Sequence, residues 1–157
     1  MKKRILFICA GNTCRSPMAQ HLFLKTLGGS RKNGTVEYEV LSAGLFAYDG
    51  LPASQEAIEV MTGEGIDLSG HKSAQLTGKI IADADLILAM TEGHCQILMD
   101  SFPQKKDCIF TISEYAGMGG QDISDPYGSG RQAYINTLQQ LKEALDKVAA
   151  RVIHEII

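Results

Sequence analysis

The chain has 157 residues, with 15 Lys and Arg against 18 Asp and Glu for a formal charge of -3, a length that suits one domain spanning 1–157. Its 45% hydrophobic content is too high for a disordered chain, and its longest apolar stretch, Ile5 to Ala10, falls far short of the roughly 20 residues of a membrane span. Met1-Lys2-Lys3-Arg4 leads into no small-residue cleavage site, and no sustained basic run offers a surface to nucleic acid. The cysteines Cys9, Cys14, Cys95 and Cys108 show neither zinc-site spacing nor the density of a disulfide scaffold. A cytoplasmic chain with free thiols, and no membrane or nucleic-acid partner, is the expectation.

Arg4 to Cys9 is a continuous apolar run ending at Gly11, which suits the central strand of a parallel sheet. Ser16-Pro17 then reads as N-cap and first helical residue, and Met18, Leu22 and Leu27 recur at near-helical spacing. Gly28-Gly29 ends that helix, Asn33-Gly34 makes a turn, and Val36 to Ser42 resumes as strand before the small residues Ser42-Ala43-Gly44.

Ser54 is placed to cap a helix through about Met61, and a second helical stretch is expected over Gln75 to Ala82. Asp85 to Met90 reads as strand, Thr91 as the cap of a helix to about Phe102, and Asp107 to Thr111 as the last strand. After a glycine-rich loop from Ala116 to Gly130, the residues Leu138, Leu141, Leu145, Val148 and Val152 step by threes and fours along one face of a terminal helix. The alternation predicts an α/β fold: a three-layer, doubly wound sandwich with a four-stranded parallel sheet.

The segment with chemical content is Cys9-Ala10-Gly11-Asn12-Thr13-Cys14-Arg15-Ser16. It lies between the first strand and the first helix, where open α/β sheets bind ligands. Small residues at Ala10 and Gly11, wrapping onto a helix start, let successive backbone N–H groups turn inward as an anion nest. Arg15 adds a two-pronged donor suited to phosphoryl oxygens. The same positive field favours a thiolate at Cys9, which makes that residue the candidate nucleophile.

These residues, with Pro17-Met18-Ala19, Ser42-Ala43-Gly44, Ala84 to Met90 and Asp125-Pro126-Tyr127, resemble the low-molecular-weight protein tyrosine phosphatase family, whose fold is phosphatase-I-like (flavodoxin-like), nearly end to end. The resemblance implies a cysteine-dependent phosphatase acting on phosphorylated proteins, without metal or other cofactor. Cys9 would form a phosphocysteine, Arg15 and the amides of Ala10 to Cys14 would hold the phosphoryl oxygens, and Asp125 would be general acid and then base. Asn12, Ser16, Ser42 and His71 match positions that brace the phosphate loop, and Cys14 matches a cysteine able to form a protective disulfide with the nucleophile.

Thr13 stands where tyrosine-directed relatives carry an aliphatic residue, and Tyr127 is followed by Gly128 where they often have a second aromatic. Both features look most like the bacterial protein-arginine phosphatase branch and favour phosphoarginine. A phosphotyrosine phosphatase is the alternative. Weaker readings are an arsenate reductase, which would need relay cysteines that Cys95 and Cys108 do not match in spacing, and a phosphate carrier without turnover. His21, His94 and His154 read as surface or packing residues.

Overall fold

The computed structural model describes residues 1–28 and 36–155. Four strands, β1 (Lys2–Cys9), β2 (Glu37–Gly44), β3 (Leu86–Ala89) and β4 (Ile109–Thr111), pair in the order β2-β1-β3-β4. Every pairing is parallel, and the register sets Cys9 opposite Gly44 and Ile8 opposite Ala89. The chain leaves β1 for one side of the sheet and returns to β3 on the other. The carboxyl end of β1 is therefore a topological switch point, where no crossover covers the crevice above the strands.

Side-chain alternation along β1 divides the interior in two. Ile5, Phe7 and Cys9 join a core with helices α1 (Arg15–Leu27), α2 (Gln55–Thr62) and α6 (Arg131–Glu155). Leu6 and Ile8 face the opposite core with α3 (Gly78–Asp83) and α4 (Glu92–Ser101). A one-residue slip of β1 would exchange the two sets and move Cys9 to the wrong face. In the first core Phe7 meets the edge of Phe23 at 5.5 Å, and truncating either ring to Ala would cost about 3–5 kcal/mol. Cys95 lies in the second core, 1% exposed.

Several boundaries differ from the sequence expectation. Helix α1 begins at Arg15, and Cys14 rather than Ser16 precedes it. Ser16 has turned its hydroxyl to the Cys9 sulfur, so it is unavailable as a cap. Gln75 is not helical but bridges to Gly44, and its carboxamide bonds Ala47 N and Leu45 O; the helix starts three residues later under the Thr77 cap. Asp107 and Cys108 belong to a 3-10 segment, Pro103–Cys108, which shortens β4, and a four-residue helix α5 (Ile112–Tyr115) follows it. Ser54 and Thr91 cap α2 and α4 as expected, through Ala57 N and His94 N. The expected Asn33-Gly34 turn lies outside the described residues. Among the described residues no helix is long and apolar enough to cross a membrane.

Candidate active site

Cys9 ends β1 with 2% of its surface exposed. Two groups converge on its sulfur: the Asn12 amide donates at 3.2 Å and the Ser16 hydroxyl lies at 2.8 Å. The Asn12 carboxamide N–H occupies a lone pair of Ser16 Oγ at 2.8 Å, which leaves the Ser16 proton free to point at the sulfur. A thiolate at this position thus accepts two hydrogen bonds without any rearrangement.

Asn12 makes this possible by adopting φ 57°, a left-handed conformation that Asn tolerates better than most residues. The side chain is fully buried, and each polar atom is engaged. Its Nδ2 also donates to Ser42 Oγ at 3.0 Å, its Oδ1 accepts from Ala74 N at 2.9 Å, and its carbonyl oxygen lies 2.8 Å from His71 Nε2. A carbonyl only accepts, so Nε2 of His71 carries the proton. Burial, only partly offset by this bond, holds His71 below its usual 6.5. Ser42 in turn donates to Gln20 Oε1 at 2.7 Å, and Gln20 is tied to Val40 O.

On the other side of the loop, Cys14 donates to Ser54 Oγ (3.4 Å), Ser54 donates to Tyr134 OH (3.1 Å), and Tyr134 OH closes the ring on Cys14 Sγ at 3.2 Å. Burial, chiefly, pushes the Tyr134 phenol up, which keeps it a donor. Ser54 N also binds Thr13 O at 2.9 Å, so α2 and α6 hold this half of the loop. Both Cys9 and Cys14 are free thiols.

Arg15 is 6% exposed; one of its terminal nitrogens donates to Ile123 O at 3.0 Å and the other lies 3.7 Å from Asp125 Oδ2. Its other guanidinium N–H groups have no partner among the described residues, so the planar fork can meet an oxyanion. Asp125 is exposed, with Oδ1 accepting from Tyr127 N at 3.1 Å in a local Asx turn. Pro126 is buried beneath it. Two residues before Asp125, Ile123 N donates to Met90 O at 2.9 Å, which brings this loop to the end of β3 and therefore beside Cys9.

Cys9, Ala10, Gly11, Thr13, Cys14, Arg15, Asp125 and Tyr127 line one cleft of about 650 Å³, while Asn12, Ser16, Ser42 and His71 stand behind the loop as a bracing layer. The sequence reading missed Gln20 and Tyr134, and it saw Ser54 only as a helix cap. Nothing local marks these three, because their roles arise from contacts between distant segments. The outer wall comes from Phe46, Tyr48 and Leu51, which with Tyr127 are 71%, 79%, 44% and 72% exposed, an unusual concentration of apolar surface around a polar floor. Such a cleft can seat an anionic group against the loop and an organic side chain against the rim.

Cys95 is no part of this cleft; burial, then Glu92, Glu114 and Asp122, push its thiol up to about 12. His94, held down first by burial and then by the charge of Arg15, has a buried Nδ1 without a hydrogen-bond partner among the described residues. Among those residues no three His, Cys, Asp or Glu side chains converge as a metal site.

The model of the family described as low molecular weight phosphotyrosine protein phosphatase matches residues 4–156, and the chain belongs to that family. Its members are protein phosphatases, and this chain is a hydrolase of that class. A protein-arginine-phosphatase of Geobacillus stearothermophilus is 39% identical over 153 residues, covering 97% of each chain. A probable low molecular weight protein-tyrosine-phosphatase, EpsP of Ralstonia nicotianae, is also 39% identical, over 152 residues and 97% of each. The crystal structure of a YwlE mutant from Bacillus subtilis superposes with a TM-score of 0.88 at 36% identity, covering 96% of this chain and 98% of that one. Arginine and tyrosine phosphatases thus stand at similar distances.

Proposed function

We propose that this chain hydrolyses phosphorylated protein side chains through a phosphocysteine at Cys9, with phosphoarginine as the favoured substrate. The observation that carries the chemistry is the convergence of the Asn12 amide and Ser16 hydroxyl on the Cys9 sulfur, next to the buried Arg15 and with Asp125 above. The Cys9 thiolate attacks phosphorus in line. As the P–S bond forms, the bond from phosphorus to the leaving nitrogen or oxygen breaks, and the Asp125 carboxyl protonates that atom. Arg15 and the loop amides stabilise the equatorial oxygens while charge redistributes. The Asp125 carboxylate then takes a proton from water, which attacks phosphorus; the P–S bond breaks, phosphate leaves and the thiolate returns. Apart from the attacking water, each group these steps use is a side chain or amide of this chain, so the reading calls on no cofactor.

For the substrate, the support is Thr13 on the cleft wall and the single aromatic Tyr127 followed by Gly128. A hydroxyl suits a polar guanidinium, which would leave an aliphatic side chain there without a hydrogen-bonding role. The exposed Phe46, Tyr48 and Tyr127 favour the second reading, phosphotyrosine, because an aromatic ring stacks on aromatic walls. Phosphate release from a phosphoarginine-bearing protein and a phosphotyrosine-bearing protein, at equal enzyme and with Cys9→Ser as blank, decides between them. Faster release from phosphoarginine is expected. Preference for phosphotyrosine would overturn the substrate assignment, and a single equivalent of trapped phosphate without turnover would overturn the enzymatic one.

A further inference from the structure

Asp125 sits on an exposed loop, yet a general acid must meet the leaving atom within hydrogen-bond distance. The residue just before it, Ser124, is gripped on both sides by α6: Thr137 Oγ1 donates to its carbonyl at 3.0 Å, and Gln140 Oε1 accepts from its N–H at 3.0 Å. Thr137 and Gln140 are three apart on one helix face, and Tyr134, one step earlier on that face, closes the ring around Cys14.

Thr137 is fully buried between apolar neighbours of α6. The helical threonines Thr26 and Thr62 turn their hydroxyls back to the carbonyls of Leu22 and Ile58, four residues earlier, the usual arrangement inside a helix. Thr137 instead gives its proton to the loop. Valine would fill the same space, so the hydroxyl is what the position uses.

We propose that Thr137 and Gln140 are positioning residues for the proton-transfer step, fixing the Ser124 peptide and through it the direction of the Asp125 carboxyl. This rests on the reading of Asp125 as the general acid. Pro126 restricts the backbone on the far side of Asp125, so the two α6 bonds complete the clamp.

The test compares kcat/KM for 2,4-dinitrophenyl phosphate, whose leaving group departs without help, with that for phenyl phosphate, whose leaving group needs a proton. Thr137→Val is expected to lower the phenyl phosphate value about tenfold and the dinitrophenyl value less than about twofold. Gln140→Leu is expected to show the same split at smaller size, because water can replace its exposed bond, and Thr137→Ser to restore the wild-type ratio. The ratio is taken within one preparation, so a reduced folded fraction cancels. An equal fall on both substrates in Thr137→Val, or no fall on either, would overturn the proposal. Asp125→Asn is the control: a split there without one in Thr137→Val refutes the clamp alone, whereas no split in Asp125→Asn refutes the acid assignment and the clamp with it.

Discussion

Gly44 provides a sharp test of how tightly the phosphate loop is held. A Cβ built there would lie 2.6 Å from Ala10 O, 2.8 Å from the Ala47 methyl and 3.1 Å from Asn12 N. A carbon and an oxygen without a bond settle at about 3.3 Å, so the first contact alone demands a displacement of over half an ångström. The backbone has nowhere to yield: Gly44 N and O are bonded to Ala74 and Leu76, while Leu45 N and Phe46 N hold the carbonyls of Cys9 and Ala10. Gly44→Ala should therefore cost about 1–3 kcal/mol, as overpacking does. It should also lower kcat/KM about tenfold, since misplacing a reacting group by an ångström can cost about a hundredfold. Urea unfolding and steady-state kinetics on an aryl phosphate measure the two effects. Stability within about 0.5 kcal/mol of wild type together with activity within about twofold would refute the claim of a rigid loop.

Thr13→Ile should shift the ratio of activities from phosphoarginine toward phosphotyrosine, read as kcat/KM on both substrates; an unchanged ratio would move selectivity to Tyr127 or to the Phe46 and Tyr48 loop. His21, His71 and His94 are all held below 6.5, in each case chiefly by burial. The unfolded chain therefore takes up protons first as pH falls. Stability should be complete above about pH 6.5 and decline as pH drops through the folded values, a slope visible in urea midpoints between about pH 7.5 and 5.5 and reduced in His71→Gln. In native protein, iodoacetamide should leave Cys95 unlabelled, because that thiol is buried and protonated; labelling at the rate of an unfolded control would refute its placement in the core. After mild peroxide, intact mass should show a loss of two hydrogen atoms, about 2 Da, in wild type and none in Cys14→Ser, as a disulfide between Cys9 and Cys14 with peroxide reduced to water requires.

Much of this fold was legible because its signals are local. The apolar run through Cys9, the caps at Ser54 and Thr91 and the spacing from Leu138 to Val152 each express a preference that the tertiary structure keeps. Two of the errors fall where a polar side chain found a partner outside its expected element. Ser16 has the chemistry of a cap but spends its hydroxyl on Cys9. Gln75 looks helical but serves as a peg between Leu45 and Ala47. The loop wall of the cleft was readable because Cys9 to Arg15 is contiguous, and Asp125 and Tyr127 only through the family resemblance; Gln20, Tyr134, Thr137 and Gln140 sit at positions that no local pattern distinguishes from ordinary helix residues.

The separation of partners along the chain bears on how activity appears during folding. The contacts among Cys9, Asn12 and Ser16 span no more than seven residues, but Arg15 must find Ile123 at a separation of 108 and Cys14 must find Tyr134 at 120. Contacts of such range pay the largest loop-closure entropy and form late. A chain with the sheet and α1 assembled but α6 and the 123–125 loop undocked would hold the Cys9 thiol without an oriented Arg15 or a placed Asp125. Recovered turnover is thus a readout of the slowest long-range docking event, and a refolding experiment followed by activity should lag one followed by helix content.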